Sequence, residues 1–293
     1  MALGGIKVGA GLSVAADGTL SGSAPYSLTP ATATALGGIK VGTNLSVAAD
    51  GTLSGVVTAP LLSFRNRIIN GNFAINQRGY VSGAVSSVAN QYCLDRWRIV
   101  TAGQGCSFVA SGIDAVVTAP AGGLEQVIEG VNIEGGAYTL SWSGTAAALV
   151  NGVAVANGSG VTLPAGTNAT VRFSSGTMTR VQLEPGSTAT SFERRDDELR
   201  RCQRYYWQSI PANAFSLQNY IGTAGAWIGV TLQHPVLMRA APTMSGSLSL
   251  NGPISNATFG YVNQQLFGIA ALSTGTGGWS ISNTTPITAN AEL

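Results

Sequence analysis

Charged residues are scarce in this sequence of 293 residues, and this limits the kinds of partner and fold that the protein is expected to have. Lys, Arg, Asp and Glu make up 10% of the chain, against about 25% in an ordinary soluble domain. The formal net charge is only +2, so the charge balance gives no reason to expect a nucleic-acid partner. Small and β-branched residues take the place of charge, with 39 glycines and no long helical pattern. This composition predicts an all-β protein whose surface is partly buried between subunits.

Cysteines and long apolar runs are also in short supply. The three cysteines, Cys93, Cys106 and Cys202, are an odd number without a CxxC pair, which argues against a disulfide framework and a zinc site. No apolar run reaches the ~18 residues of a membrane span. The N-terminal segment lacks the basic and apolar regions of a secretory signal. We therefore expect no membrane insertion and folding in a reducing cytoplasm.

Motifs for catalysis are missing as well. His234 is the one histidine, and without a Ser-Gly elbow or a cysteine partner it is expected to be an edge-strand or interface residue. The spacings of HExxH, calcium-loop and phosphate-loop motifs do not occur. Glycoside hydrolysis needs two carboxylates about 5–10 Å apart, and most acids here neighbour arginines or lie in turns. We predict no catalytic residues, metal or cofactor, and no enzyme, although an acid pair across a subunit interface stays open.

The N-terminal residues 1–62 contain a near-identical repeat. LGGIKVGAGLSVAADGTLSG at 3–22 returns as LGGIKVGTNLSVAADGTLSG at 36–55. Apolar residues alternate within each copy, and the Asp-Gly pair favours a hairpin turn. Two or three strands this short cannot bury their own apolar face. We expect two further copies of the chain to cover it around a common axis; flexible Gly/Ala linkers are the alternative.

Residues 63–193 have the pattern of a β-sandwich. Short strand-like runs are interrupted every 8–12 residues by Gly, Asn or Pro. The predicted strands include residues 137–142, 146–150, 169–173 and 179–183.

An ordered series of short motifs runs through the rest of the chain: RIINGNF at 67–73, DRW at 95–97, VQLEPGSTATSFE at 181–193, CQRYY at 202–206 and ANAEL at 289–293. The series resembles the C-terminal half of tail-fibre and receptor-binding proteins of tailed bacteriophages and prophages, and the repeats resemble fibre-shaft repeats. The resemblance implies a virion protein that is a homotrimer with a jelly-roll-like sandwich similar to carbohydrate-binding modules. It also implies contact with other virion tail proteins through the N-terminus.

Physical roles can be predicted for several motif residues. Asn70 and Asn72 are expected to tie a strand to a turn through side-chain hydrogen bonds. Asp95 and Arg96 are expected to form an ion pair against the indole of Trp97, a structural role that we favour over sugar stacking. Glu184 and Glu193 are expected to pair with nearby arginines rather than act as an acid/base couple; the candidates are Arg172, Arg180 and Arg194.

A charged segment at 194–207 links the sandwich to the last domain. The acids at 196–198 precede the arginines at 200, 201 and 204, an order that suits a helix dipole. Asp196–Arg200 and Asp197–Arg201 have the spacing of helical ion pairs. We predict a helix over 195–207. One face of it is expected to hold Leu199, Cys202, Tyr205 and Tyr206, and a solvated surface helix that only connects two domains is the alternative to a packed one.

The C-terminal residues 208–293 alternate again and predict a β tip domain rich in Asn, Ser, Thr and Gln. Four scattered aromatic residues are the candidates for glycan contact, because rings stack on sugar C–H faces while amides and hydroxyls bond sugar hydroxyls; the alternative is that these rings are core. The candidates are Tyr220, Trp227, Tyr261 and Trp279.

These patterns lead to one function and two alternatives. The leading hypothesis is a trimeric tail fibre that attaches a virion to a bacterial surface polysaccharide or lipopolysaccharide, with three weak sites acting together. A polysaccharide-degrading tailspike and a purely structural fibre part without a receptor are the alternatives.

Overall fold

The fold is all-β, with a single α-helix among the residues described. The computed structural model of the chain describes residues 8–22, 45–48, 53–55, 64–209, 216–221 and 223–293. By internal contacts the chain divides into two compact units, Met1–Leu61 and Leu62–Leu293.

The first unit contains a hairpin in each repeat, as predicted. The strands of the two hairpins pair antiparallel in equivalent registers; they are β1 (Leu12–Val14), β2 (Leu20–Gly22), β3 (Leu45–Val47) and β4 (Leu53–Gly55). At the first turn, the backbone N–H of Thr19 donates to Asp17 Oδ1 at 2.9 Å, and Gly18 adopts a positive φ of 87°. Leu12, Val14 and Leu20 are all exposed. The predicted alternation at Ile6, Ile39 and Val41 lies outside the described residues.

The second unit begins with two antiparallel sheets that share one core. The five-stranded sheet has the order β13-β10-β15-β8-β7 and the six-stranded sheet the order β12-β11-β14-β9-β6-β5. The strands are β5 (Gln91–Tyr92), β6 (Arg98–Ile99), β7 (Ser107–Ser111), β8 (Asp114–Thr118), β9 (Leu124–Ile128), β10 (Gly136–Gly144), β11 (Ala147–Val150), β12 (Val153–Val155), β13 (Ser159–Leu163), β14 (Ala169–Ser174) and β15 (Thr177–Pro185). A 3-10 turn spans Gly130–Asn132. The four strands predicted from the sequence are found in β10, β11, β14 and β15.

Trp97 lies in the sandwich core between the two sheets. Its ring is fully buried, 4.9 Å from the ring of Phe73 and 6.2 Å from that of Phe173 by their centroids. Its Nε1 donates to the carbonyl of Asn70 at 3.0 Å, so the polar edge of the indole is satisfied. Packing, rather than ligand contact, is the role of this motif tryptophan.

The C-terminal part of the unit, which we call the C-terminal sheets, consists of three three-stranded antiparallel sheets. Their orders are β16-β24-β19, β17-β23-β20 and β18-β22-β21. The strands are β16 (Tyr206–Gln208), β17 (Ser216–Ile221), β18 (Trp227–Gln233), β19 (Thr243–Ser245), β20 (Leu248–Asn251), β21 (Ile254–Gly260), β22 (Leu266–Ser273), β23 (Gly277–Asn283) and β24 (Thr288–Asn290).

The predicted linker helix is real but much shorter than expected. Helix α1 covers Glu198–Gln203 because the chain from Tyr206 onward pairs with β24 and becomes β16. Of the two predicted ion pairs one forms, from Arg201 Nε to Asp197 Oδ1 at 2.9 Å. Three of the four residues expected on one face are buried, whereas Leu199 is 43% exposed. Strand pairing therefore overrides helical periodicity at the end of this segment.

Candidate functional site

The motif residues that support the family resemblance form a structural junction. Asn70 Nδ2 donates to the carbonyls of Ile75 (2.8 Å) and Asp95 (3.0 Å), and Asn70 Oδ1 accepts from the N–H of Ile75. Asn72 Nδ2 donates to Asp114 Oδ1 at 3.2 Å. The predicted side-chain hydrogen bonds form, but residues 67–73 make a turn rather than the predicted strand.

The predicted Asp95–Arg96 ion pair does not form. Asp95 instead accepts hydrogen bonds from the backbone N–H and the Nε2 of Gln77, at 2.6 and 2.7 Å, and burial raises the pKa of its carboxyl. Arg96 forms an ion pair with Glu292, and its guanidinium lies 3.5 Å from the centre of the Tyr205 ring. Neighbours in sequence face different partners here, because successive residues around a tight turn point apart.

The chain's last residues lie against the sandwich. Glu292 pairs with Arg96 and, at 3.0 Å, with Arg78. The carbonyl of Leu293 accepts from Tyr92 Oη at 2.8 Å and from Arg98 Nη1 at 3.0 Å. The ANAEL segment thus fastens the C-terminal sheets to the sandwich.

Glu184 and Glu193 are satisfied, but not by the arginines that were predicted. Glu184 pairs with Arg65 at 3.0 Å. Glu193 accepts from the backbone N–H groups of Phe64 and Asn66, at 2.5 and 2.8 Å. Neither acid has a geometry for acid/base chemistry. The arginines proposed as their partners pair with other acids: Arg172 with Glu125, and Arg180 and Arg194 with Asp114.

A pocket of about 250 Å³ lies between the sandwich and α1. Both arginines in its lining are already engaged, since Arg194 pairs with Asp114 at 2.7 Å and Arg195 with Glu198 at 2.9 Å. Burial opposes ionisation of Asp114, yet hydrogen bonds from Arg194, Arg180 and Asn72 outweigh it and lower the pKa of that carboxyl. These groups hold the segment after β15 in place, and an anionic ligand would have to break the pairs of both arginines.

A second and larger groove crosses the outer face of the sheet β18-β22-β21. Residues of β18 alternate, with Ile228, Val230 and Leu232 directed to the core and the residues between them exposed. On the outer face, Gly229 lies opposite Ala270, which lies opposite Thr258; Thr231 lies opposite Gly268, which lies opposite Gly260. Small residues in adjacent rows leave a trough, which we call the sheet groove.

The sheet groove has a volume of about 520 Å³, with an aromatic ring at each end. Trp227 is 62% exposed and Tyr261 is 83% exposed. Trp227 precedes the Thr231 row by four residues, and Tyr261 follows that row by one residue, directly after β21. At about 3.4 Å of rise per residue, the backbone positions of the two residues are roughly 17 Å apart along the strand direction.

Glycine is required at Gly229 on the floor of the sheet groove. A Cβ there would lie 2.6 Å from the carbonyl oxygen of Ile269, whereas at Gly268 the ring of Tyr261 lies close to where a Cβ would be. At Gly229 the floor is therefore bare backbone, which lets a flat ligand approach the peptide groups closely.

The chemistry of the sheet groove is neutral. None of its described lining residues is charged, and their polar side chains are the hydroxyls of Thr231, Thr258 and Tyr261. The sequence has no Asp or Glu from residue 199 to 291. The strands that form the groove and the loops between them therefore supply no carboxylate. The groove can stack rings against apolar ligand faces and exchange hydrogen bonds, but it has no general acid or base.

The structure brings together two of the four aromatic residues predicted to bind ligand, Trp227 and Tyr261. Tyr220 is 70% exposed but lies on β17, in a different sheet. Trp279 is 9% exposed and belongs to the core of the C-terminal sheets, so its ring is not offered to a ligand. Sequence reasoning missed the glycine floor, although glycines at outward positions of an alternating strand are a signal that could have located it.

His234 lies directly after β18 and is buried. Its ring stacks on that of Phe267, with centroids 5.2 Å apart, and its Nε2 lies 3.2 Å from the carbonyl oxygen of Asn263. Burial lowers the pKa of the imidazole. The residue packs as a neutral ring at the end of the strand.

Across the described ranges, no group of three or more His, Cys, Asp or Glu is arranged to hold a metal ion. No helix within them has the length and apolar character to cross a membrane. Comparison with known proteins found no matching family model, no matching curated protein and no matching solved structure.

Proposed function

We propose that this chain is a receptor-binding tail-fibre protein that attaches a virion to a glycan on the bacterial surface, and that the sheet groove binds the glycan. The observation that supports this most strongly is the placement of Trp227 and Tyr261, two exposed rings at opposite ends of a neutral, hydroxyl-lined trough. Exposed apolar groups that line one groove together, unlike single exposed side chains, mark interaction sites.

The spacing of the two rings bears on the kind of ligand. With backbone positions roughly 17 Å apart along the strand direction, the two residues are too distant to stack on one sugar ring together. A ligand that contacts both is therefore an extended oligosaccharide lying along the groove. The neutral lining favours an uncharged stretch of polysaccharide or lipopolysaccharide, because an anionic sugar would lose hydration there without gaining a cationic partner.

The proposal includes assembly into a homotrimer. In the C-terminal sheets, the inward-facing residues of β18 are only partly buried by their own chain, and the apolar residues of the first hairpin are exposed. Covering these surfaces with other copies would remove apolar area from water. A trimer would also present three grooves together, which raises avidity for a repeating polymer without any new contact.

Binding of the purified protein to a panel of bacterial cells and their isolated polysaccharides tests the proposal. We expect Trp227→Ala and Tyr261→Ala each to weaken binding about tenfold, as for aromatic anchors in other interfaces, with a larger loss in the double variant. Tyr220→Ala is the matched control, because it removes an equally exposed ring outside the groove.

Three outcomes would count against this function. Equal binding by the double variant and the unaltered protein would mean that the sheet groove does not bind the glycan. Failure of the unaltered protein to bind any surface in the panel would favour a purely structural fibre part. Release of oligosaccharides from the polysaccharide would favour a degrading tailspike.

A further inference from the structure

Two of the three cysteines meet inside the sandwich. The Sγ atoms of Cys93 and Cys106 lie 3.6 Å apart, and both residues are almost completely buried. Cys93 directly follows β5 of the six-stranded sheet, and Cys106 directly precedes β7 of the five-stranded sheet. The pair therefore connects the two sheets of the sandwich.

Backbone hydrogen bonds fix both cysteines in this position. The N–H of Cys93 donates to the carbonyl of Trp97 at 2.9 Å. The N–H of Cys106 donates to Tyr80 Oη at 3.1 Å, and its carbonyl accepts from the N–H of Gly83 at 2.8 Å. The contact between the thiols is thus a consequence of the fold rather than of two flexible side chains.

We propose that Cys93 and Cys106 are a redox-modification site, which stays as two thiols in a reducing environment and closes to an inter-sheet disulfide in an oxidising one. The sulfur atoms are in van der Waals contact, and a disulfide bond of about 2.05 Å requires them to approach by roughly 1.5 Å, a distance that side-chain rotation can supply. A protein that is made in a cytoplasm and acts outside a cell passes between these environments.

Hydrogen peroxide is an oxidant small enough for this site. One thiolate attacks a peroxide oxygen, the O–O bond breaks, and hydroxide leaves and takes a proton, giving a sulfenic acid and water. The second thiol then attacks the sulfenic sulfur, the S–O bond breaks, and a second water leaves. In total, two thiols and one peroxide give one disulfide and two waters, with two electrons passing from sulfur to oxygen.

The site's position gives the oxidant a route. β7 is the edge strand of its sheet and most of its residues are exposed. Val81 and Val85, in the segment beside it, are exposed as well. Edge segments of this kind open locally at a lower free-energy cost than core strands. Cys202 is also buried and free, but it lies in α1, apart from the pair.

Thiol counting on the intact protein tests the proposal. The reduced protein, denatured and alkylated, carries three labels, one for each cysteine in the sequence. After treatment of the native protein with hydrogen peroxide, we expect one label, on Cys202, and a peptide in which Cys93 is joined to Cys106. Dithiothreitol should restore all three labels.

A Cys202→Ser variant sharpens the test, because its label count should fall from two to zero. Cys93→Ser is the matched variant that cannot close the bond, and it should yield no intramolecular disulfide. We expect oxidation to raise the Tm of Cys202→Ser and to leave that of Cys93→Ser without such a rise. Three labels on the native protein after peroxide treatment, or a disulfide that involves Cys202, would overturn the proposal.

Discussion

The two hydrophobic cores of Leu62–Leu293 are closed to different degrees. The sandwich core has 26 buried hydrophobic residues and four partly buried ones packed against them. Among the described residues of the C-terminal sheets, the main core has seven buried and eleven partly buried. The sandwich therefore completes its own core, whereas the C-terminal sheets leave apolar side chains for another surface to cover.

The difference follows from how the strands are layered. In the sandwich, β9 is buried along its whole length and β14 alternates between buried and half-buried residues, because a second broad sheet covers the inner face. β18 alternates between half-buried and exposed residues instead, since its three-stranded sheet meets less of its own chain. A sequence can thus have a clear strand pattern in both regions while only one of them is complete in a single chain.

The largest predicted effect is in the closed core. Trp97→Ala removes a fully buried ring that packs on Phe73 and Phe173. We expect it to lower the free energy of unfolding by about 3–5 kcal/mol, measured by denaturant unfolding. The loss should not depend on protein concentration, and a concentration-dependent loss would mean that the sandwich also relies on other copies.

The junction between the two regions is the next test. Glu292→Gln leaves the buried charge of Arg96 without its partner, which we expect to cost about 3 kcal/mol. Glu134→Gln is the control, because its pair with Arg67 is largely exposed on the Glu134 side and should contribute at most about 1 kcal/mol. Equal losses in the two variants, measured by thermal unfolding, would argue against a stabilising buried ion pair between Arg96 and Glu292.

The open core gives a smaller effect whose size reports on assembly. Val230 is only partly buried within its own chain. We expect Val230→Ser to cost about 2 kcal/mol if other copies complete its burial, and under about 1 kcal/mol if they do not. Denaturant unfolding under reducing conditions, at several protein concentrations, measures the loss in the free energy of unfolding. Thr231→Ser, on the outer face of the same strand, is the control.

The smallest effect concerns pH in the C-terminal sheets. Burial holds the pKa of His234 below its ordinary value, so the unfolded chain binds the proton more readily than the folded chain. The stability that neutral His234 contributes is present above pH about 6.5 and is lost as the pH falls below that value. Comparing the Tm of the unaltered protein and His234→Gln from pH 7.5 to 5 checks this; parallel curves would contradict it.

The sequence predicted most of the architecture, because alternation and turn residues report local structure directly. The hairpin at Asp17-Gly18, the sandwich strands and the Asp197–Arg201 pair all follow from such local signals. Long-range partners did not follow. Nothing near Arg96 in the sequence indicates Glu292, and nothing near Glu184 indicates Arg65, since those pairs depend on how distant segments pack.

The candidate site was predictable in part. Exposed rings at Trp227 and Tyr261 agree with the expectation of ligand-accessible aromatics, and these two residues share one sheet face. Trp279 could not be separated from them by pattern alone, because a tryptophan in a strand may point to either face and only the pairing with β17 and β20 determines which.

Sedimentation equilibrium combined with amide hydrogen exchange, over a range of protein concentrations, tests whether other copies of the chain complete the core of the C-terminal sheets. We expect a trimer at micromolar concentration, with protection of β18, β21 and β22 that declines on dilution while protection of β9 and β14 stays constant. A monomer whose C-terminal sheets are as strongly protected as its sandwich at every concentration would contradict it.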